Sequence, residues 1–94
     1  MYIAIASFRT RKNGENLERM IEFVDRENQG YNTNKYFVIE LEPHEFEMYK
    51  KSRSLQYCHP TIVYDPCEVG EQYIKSQITF GQLARTFGSR SGDH

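Results

Sequence analysis

A strand–helix–strand pattern in the first 41 residues constrains the fold more than any other feature. Residues 2–8 are apolar or small at every position, which is typical of a strand covered on both faces. In residues 15–28 the apolar side chains recur at i, i+3, i+4 and i+7, which predicts an amphipathic helix capped by Asn13 and ended by Gly30. Residues 35–41 alternate and predict a second strand. A helical crossover would make these two strands parallel.

The rest of the chain continues this alternation of elements. Pro43 suits the first turn of a second helix. A β-type run between Pro60 and Pro66 predicts an edge strand, whereas residues 73–78 fit a strand or a helix. Thr79, Gln82 and Gly88 frame a last helix. We therefore expect a single α+β or α/β domain over residues 1–88. It has a β-α-β-α-β core, a mixed sheet of three or four strands, a short C-terminal helix, and a polar tail at 89–94.

Composition limits the class of protein. The chain has 94 residues, a formal net charge of −1, 38% hydrophobic and 27% charged residues, which excludes collagen-like, low-complexity and strongly charged disordered chains. Two cysteines are too few for a disulfide scaffold. No apolar run approaches the ~18 residues of a membrane span, and residues 1–8 lack the basic region of a signal peptide. We expect a cytoplasmic protein in a reducing compartment, without membrane attachment.

Charged residues at one end of the predicted sheet form the candidate interaction surface. In the parallel topology, the loop after the first strand and the start of the second helix lie at the same end. That placement brings together five side chains, which we predict to be the interaction surface: Arg9, Arg11, Lys12, Glu42 and Glu45.

Motifs for catalysis or cofactor binding are absent from the sequence. No Walker loop, GxGxxG, GxSxG or HExxH occurs. The spacing of His44, Cys58, His59 and Cys67 matches no compact metal site, and the two cysteines would lie at opposite ends of a strand, too far apart to pair. We therefore predict no cofactor, no metal and no catalytic residues.

A short C-terminal segment resembles part of a DNA-binding motif. Residues 80–91, FGQLARTFGSRS, are similar to the first helix and turn of a helix-turn-helix. We expect no recognition helix after this segment, although the motif needs one to enter the major groove. We therefore interpret the segment as an ordinary capped helix.

Three functional hypotheses follow. The first is a non-enzymatic binding protein that docks on a larger macromolecule as an inhibitor, adaptor or regulatory subunit. Its acidic run 40–47 would imitate phosphates toward a nucleic-acid-handling partner. The second is a nucleic-acid-binding module that uses the basic loop from Arg9 to Lys12. The third is a small hydrolase or nuclease that uses Glu40, Glu42 and His44. An exposed edge strand would also allow a homodimer.

Overall fold

A computed structural model describes residues 1–77 as a four-stranded sheet with helices on both faces. The strands are β1 (Tyr2–Ile5), β2 (Lys12–Gly14), β3 (Phe37–Glu40) and β4 (Thr61–Tyr64). The helices are α1 (Leu17–Asn28), α2 (Pro43–Ser52) and α3, which begins at residue 70 and continues through residue 77. The spatial order of the strands is β2-β1-β3-β4. The predicted α+β class is confirmed, and the sheet has four strands, within the predicted three or four, although β2 is not among the predicted strands.

The predicted parallel pairing is wrong. Tyr2 faces Glu40 and Ile5 faces Phe37, so β1 and β3 are antiparallel, and every other pairing among residues 1–77 is also antiparallel. The sheet is therefore not mixed. A short strand reverses the chain before α1, so the helical crossover joins β2 to β3, which run in the same direction on either side of β1. The strand β2, Lys12-Asn13-Gly14, lies at the sheet edge and has no buried apolar side chain. Its sequence therefore lacks the alternation of apolar and polar residues that predicts a strand.

The ends of α1 follow local hydrogen bonds. Asn16, rather than Asn13, caps the helix, because its Oδ1 accepts from the backbone N–H of Arg19 at 3.1 Å. The last helical residue is Asn28, followed by Gln29 as the C-cap. The predicted helix is thus confirmed with a start two residues later, and Gly30 lies outside the cap.

The second helix has the predicted start at Pro43 and a capping box at its N-terminus. The backbone N–H of Glu42 donates to the Glu45 carboxylate, and Arg53 ends the helix in the left-handed conformation at φ 58°. Reciprocal bonds of this kind satisfy N–H groups that have no partner within a helix.

Side chains from alternate strand positions form two separate cores. On one face, Met20 and Val24 of α1 pack on Ala4 and Val38. The other face is covered by α2, the 53–60 loop and α3, and its core consists of Ile3, Ile5, Phe37, Ile39, Leu41, Phe46, Tyr49, Leu55 and Cys58. The continuous apolar run in β1 is explained, because both faces of this central strand are covered.

The remaining expectations concern the second half of the chain. Within residues 1–77 the strand β4 pairs only with β3, so it is an edge strand of the described sheet, as predicted between Pro60 and Pro66. The ambiguous segment is helical as far as residue 77. The predicted helix at 79–88, the domain limit at residue 88 and the tail at 89–94 lie outside the described residues. No helix within residues 1–77 is long and apolar enough to cross a membrane.

Candidate functional site

Phe8 lies completely exposed in the loop between β1 and β2. Its relative exposure is 100%, and its backbone has φ 58°. That left-handed conformation costs an ordinary side chain roughly 1–2 kcal/mol, so it persists only where the surroundings enforce it. The sequence placed Phe8 inside a buried strand, but β1 ends at Ile5 and the chain turns before Phe8.

Arg9 holds this loop against the rest of the domain. Its Nη2 donates to Glu27 Oε1 at 2.9 Å and its Nη1 to the backbone oxygen of Asn34 at 3.3 Å. The guanidinium carbon also lies 4.5 Å from the centre of the Tyr36 ring. Arg9 is therefore engaged within the fold, with only 18% of its side chain exposed.

Tyr36 provides the second anchor of the loop. Its hydroxyl donates to the backbone oxygen of Thr10, and its ring meets the edge of Phe23 at a centroid distance of 5.1 Å. Burial, together with the nearby Glu27 charge, raises the pKa of Tyr36, although Arg9 acts in the opposite direction. The hydroxyl stays protonated at neutral pH and remains a donor to Thr10.

A second exposed aromatic lies in the neighbouring loop between α1 and β3. Tyr31 is fully exposed. Lys35 holds the loop, because its Nζ donates to the backbone oxygens of Asn28 and Gly30, both at 2.9 Å. Because β1 ends where β3 begins, Phe8 and Tyr31 lie at the same end of the sheet. We call this the aromatic end, defined by Phe8 and Tyr31.

A shallow groove of about 630 Å³ opens beside Phe8. Its walls include the rings of Phe23 and Tyr36. Lys12, which is exposed, places its Nζ 4.9 Å from the Phe23 ring centre, and Arg26 lies 5.9 Å from it. The groove is thus aromatic, with a cationic rim.

The three predicted cations all line this groove, but their charged groups are held against different faces of the sheet. Arg9 and Lys12 contact Tyr36 and Phe23 on the α1 face of the sheet. Arg11 points to the opposite face, where its guanidinium donates to the hydroxyls of Tyr49 and Tyr73. Alternation along the backbone places Arg11 and Lys12 on opposite faces, whereas Arg9 lies in the bend before β2.

The predicted acidic residues lie at the other end of the domain. Because β3 is antiparallel to β1, Glu42 follows the end of β3 beside Met1, away from Phe8. The expectation that Glu42 and Glu45 share an end with Arg9, Arg11 and Lys12 is therefore wrong. A role in binding stays a prediction for each residue separately.

Glu45 is held inside the fold by backbone hydrogen bonds. It is buried, with 6% exposure, and its carboxylate accepts from the backbone N–H groups of Glu42 and His59. Those bonds lower the pKa of Glu45 below its ordinary value of 4.5, with the His59 N–H as the largest cause. Glu45 thus ties α2 to the loop before β4. Because Glu45 is buried, the acidic run 40–47 does not form a continuous exposed series.

The residues of the hydrolase hypothesis are exposed at this same end. Within residues 1–77, no hydrogen bond or ion pair joins Glu40, Glu42 and His44 to one another. That hypothesis stays a prediction. The described part of the chain also contains no group of three His, Cys, Asp or Glu side chains placed to hold a metal ion.

The two cysteines are free and differ in environment. Cys58 is buried and Cys67 is exposed. Burial, followed by the charge of Glu45, raises the pKa of the Cys58 thiol. The prediction that Cys58 and Cys67 do not pair is confirmed.

Comparison with known proteins gives no further guide to function. No family model, curated protein or solved structure matches the chain. Function is therefore inferred from its own residues.

Proposed function

We propose that this chain is a small non-enzymatic binding protein that docks on a larger protein through the aromatic end. Phe8 is the observation that carries the proposal. A large apolar side chain in water, on a strained backbone that Arg9 and Tyr36 hold in place, is costly without a partner. It is also preorganised, so docking loses little conformational entropy.

The energetics fit an anchor residue. Aromatic side chains bury 150–250 Å² each, and full burial of one contributes about 1.5–3 kcal/mol. Hot spots of protein interfaces are rich in such residues. Phe8 and Tyr31 together supply two anchors, both fully exposed.

The charges near the anchors indicate the partner's chemistry. Lys12 and Arg26 are exposed beside the groove, whereas Arg9 is neutralised by Glu27. We therefore expect an apolar pocket surrounded by acidic residues on the partner, because complementary charges speed association and fix orientation. The two free thiols support a reducing, cytoplasmic setting.

A capture experiment with matched variants tests the proposal. The native chain, Phe8→Ala and Met48→Ala would be immobilised and exposed to an extract of the native cell. Met48 is another exposed apolar residue, at 44% exposure, but it lies on α2. We expect a stoichiometric protein that the native chain and Met48→Ala retain and Phe8→Ala loses. Equal capture by all three proteins would exclude the aromatic end as the docking surface.

Nucleic-acid binding is the second candidate. Phe8 and Tyr31 could stack bases, and Lys12 and Arg26, which lie at the Phe23 ring, could contact phosphates. This candidate is weakened because Arg9 and Arg11 donate hydrogen bonds to other side chains of the domain. Electrophoretic shifts measured at several salt concentrations test nucleic-acid binding, because phosphate contacts weaken steeply with salt. An unshifted band at the lowest salt concentration would end this candidate.

A further inference from the structure

Arg11, Tyr49 and Tyr73 form a polar cluster that the docking proposal does not use. The guanidinium Nη1 donates to the Tyr49 hydroxyl at 2.8 Å, and Nη2 donates to the Tyr73 hydroxyl at 2.7 Å. The three side chains come from the loop before β2, from α2 and from α3. Arg11 and Tyr73 are partly buried, and Tyr49 is buried. We call these residues the Arg–Tyr cluster.

The charge of Arg11 has no counterion in the described part of the chain. Arg9, by contrast, is paired with Glu27, and the other ion pairs within residues 1–77 are Lys50–Glu47 and Lys75–Glu71. The partners of Arg11 within residues 1–77 are two neutral phenols and the face of the Tyr49 ring, whose centre lies 5.6 Å from the guanidinium carbon. Partial burial of a charge without an opposite charge is unfavourable, and the phenols and the Tyr49 ring offset this cost without neutralising the charge.

The cluster also has donors without acceptors. Each tyrosine hydroxyl accepts from Arg11, so its own proton must point elsewhere, and no acceptor within residues 1–77 receives either proton. A guanidinium carries five N–H donors, of which these bonds use two. Positive charge and donors therefore converge at a place where the side chains of residues 1–77 supply no further acceptor and no negative charge.

We propose that the Arg–Tyr cluster binds a phosphate group. An oxyanion would supply both the missing charge and the missing acceptors, and charge-assisted bonds to Arg are among the strongest hydrogen bonds in proteins. Phosphate fits better than carboxylate, because the donors come from three side chains and a phosphate offers three strong acceptor oxygens. The group is carried by a larger molecule or is free inorganic phosphate.

A titration monitored by NMR tests the site. The ¹⁵N-labelled chain would be titrated with inorganic phosphate, phosphoserine or acetate at constant ionic strength. We expect saturable shifts of the Arg11 Nε and nearby amides, with a dissociation constant on the order of 1 mM. Tighter binding of phosphoserine would identify an attached phosphate, and equal binding would identify the free ion. Linear, unsaturated shifts, or acetate binding as tightly as phosphate, would overturn the proposal.

Variants distinguish a binding site from a structural bridge. We expect Arg11→Gln to abolish saturation, Arg11→Lys to weaken it roughly tenfold because the planar fork is lost, and Tyr73→Phe to weaken it several-fold. Arg19→Gln, an exposed position on α1, is the control and should bind as the native chain does. If Arg11→Gln does not fold, the titrations of Arg11→Lys and Tyr73→Phe test whether the cluster binds phosphate. Unchanged affinity in either would overturn the site.

This site does not depend on the proposed docking function. Phe8→Ala should bind phosphate with nearly unchanged affinity, because Phe8 makes neither of the hydrogen bonds that hold the Arg–Tyr cluster, although Phe8 and Arg11 both line the groove. Failure of the docking proposal would therefore leave the phosphate titration unaffected, and failure of the titration would leave the capture result unaffected.

Discussion

The guanidinium carbon of Arg9 lies 4.5 Å from the centre of the Tyr36 ring. This contact joins the β1–β2 loop to the residue that precedes β3. The same guanidinium binds Glu27 of α1, so one side chain links three segments around Phe8. The conformation of the aromatic end therefore depends on Arg9.

Replacement of Arg9 tests this dependence. We expect Arg9→Ala to lower the free energy of unfolding by about 1–2 kcal/mol, because it removes two hydrogen bonds and a cation–π contact that are partly shielded from water. Urea denaturation measures the change, and hydrogen exchange should show faster opening of the loop. Arg19→Ala, on the exposed side of α1, should change stability by less than about 0.5 kcal/mol. Equal effects of the two variants would contradict the anchoring role.

Phe8 contributes to binding rather than to folding. Phe8→Gly should leave the free energy of unfolding within about 1 kcal/mol of the native value, because relief of the positive φ offsets the greater entropy of glycine in the unfolded chain. Phe37→Ala, at a position with 1% exposure, should cost about 3–5 kcal/mol. Chemical denaturation of both variants makes the comparison. A large loss in Phe8→Gly would mean that Phe8 supports the core.

Glu45 makes stability dependent on acid pH. Because hydrogen bonds from His59 and Glu42 lower its pKa in the folded state, its stabilisation is complete above the ordinary value of 4.5. It is lost as pH falls through the lower, folded pKa. Glu45→Gln should reduce stability by about 1–3 kcal/mol at pH 7 and flatten this acid dependence. Urea denaturation between pH 7 and pH 3 measures both effects. The exposed Glu47→Gln should retain the native profile.

Gly70 is required by close packing at the start of α3. A Cβ at this position would lie 2.8 Å from Phe37 Cδ2 and 3.0 Å from Asp65 Oδ2. The Asp65 carboxylate accepts from the Gly70 backbone N–H at 2.9 Å, so it cannot move away freely. Gly70→Ala should cost about 1–3 kcal/mol. Gly30→Ala, with open space around its Cβ, is the control, and thermal denaturation of both gives the test. A stable Gly70→Ala variant would show that Phe37 can shift.

The two cysteines should react at very different rates. Cys67 is exposed, whereas Cys58 is buried and the pKa of its thiol is raised. Because the thiolate is the nucleophile, a disulfide reagent at neutral pH should modify Cys67 rapidly and Cys58 only on unfolding. Cys67→Ser should remove the fast phase. Rapid modification of two thiols per folded chain would contradict the buried position of Cys58.

Some elements could be predicted from the sequence because local periodicity determines them. The apolar stripe of α1 and the two prolines around β4 depend only on neighbouring residues. Orientation of β1 against β3 could not be predicted, because it depends on β2, whose three polar residues are held by pairing with β1 alone. A short strand without apolar alternation leaves no periodic signal.

The candidate sites depend on long-range contacts, and few of them could be predicted. Arg11 meets Tyr73 across 62 residues of sequence, and no spacing rule connects them. Phe8 is exposed because β1 ends at Ile5. In the sequence, only the polar residue Ser7 indicates that the strand ends before Phe8. Glu45 was correctly placed at a helix start, but its contact with His59 comes from the return of the 53–60 loop.

The central place of β1 affects how the domain forms during synthesis. Within this domain β1 leaves the ribosome before both neighbours, and β3 follows more than 30 residues later. Until β3 arrives, one side of an apolar strand has no partner, which is the condition under which nascent chains aggregate. The β1–β2 pairing joins residues close in sequence, so it can form before β3 is made and cover the other edge of β1.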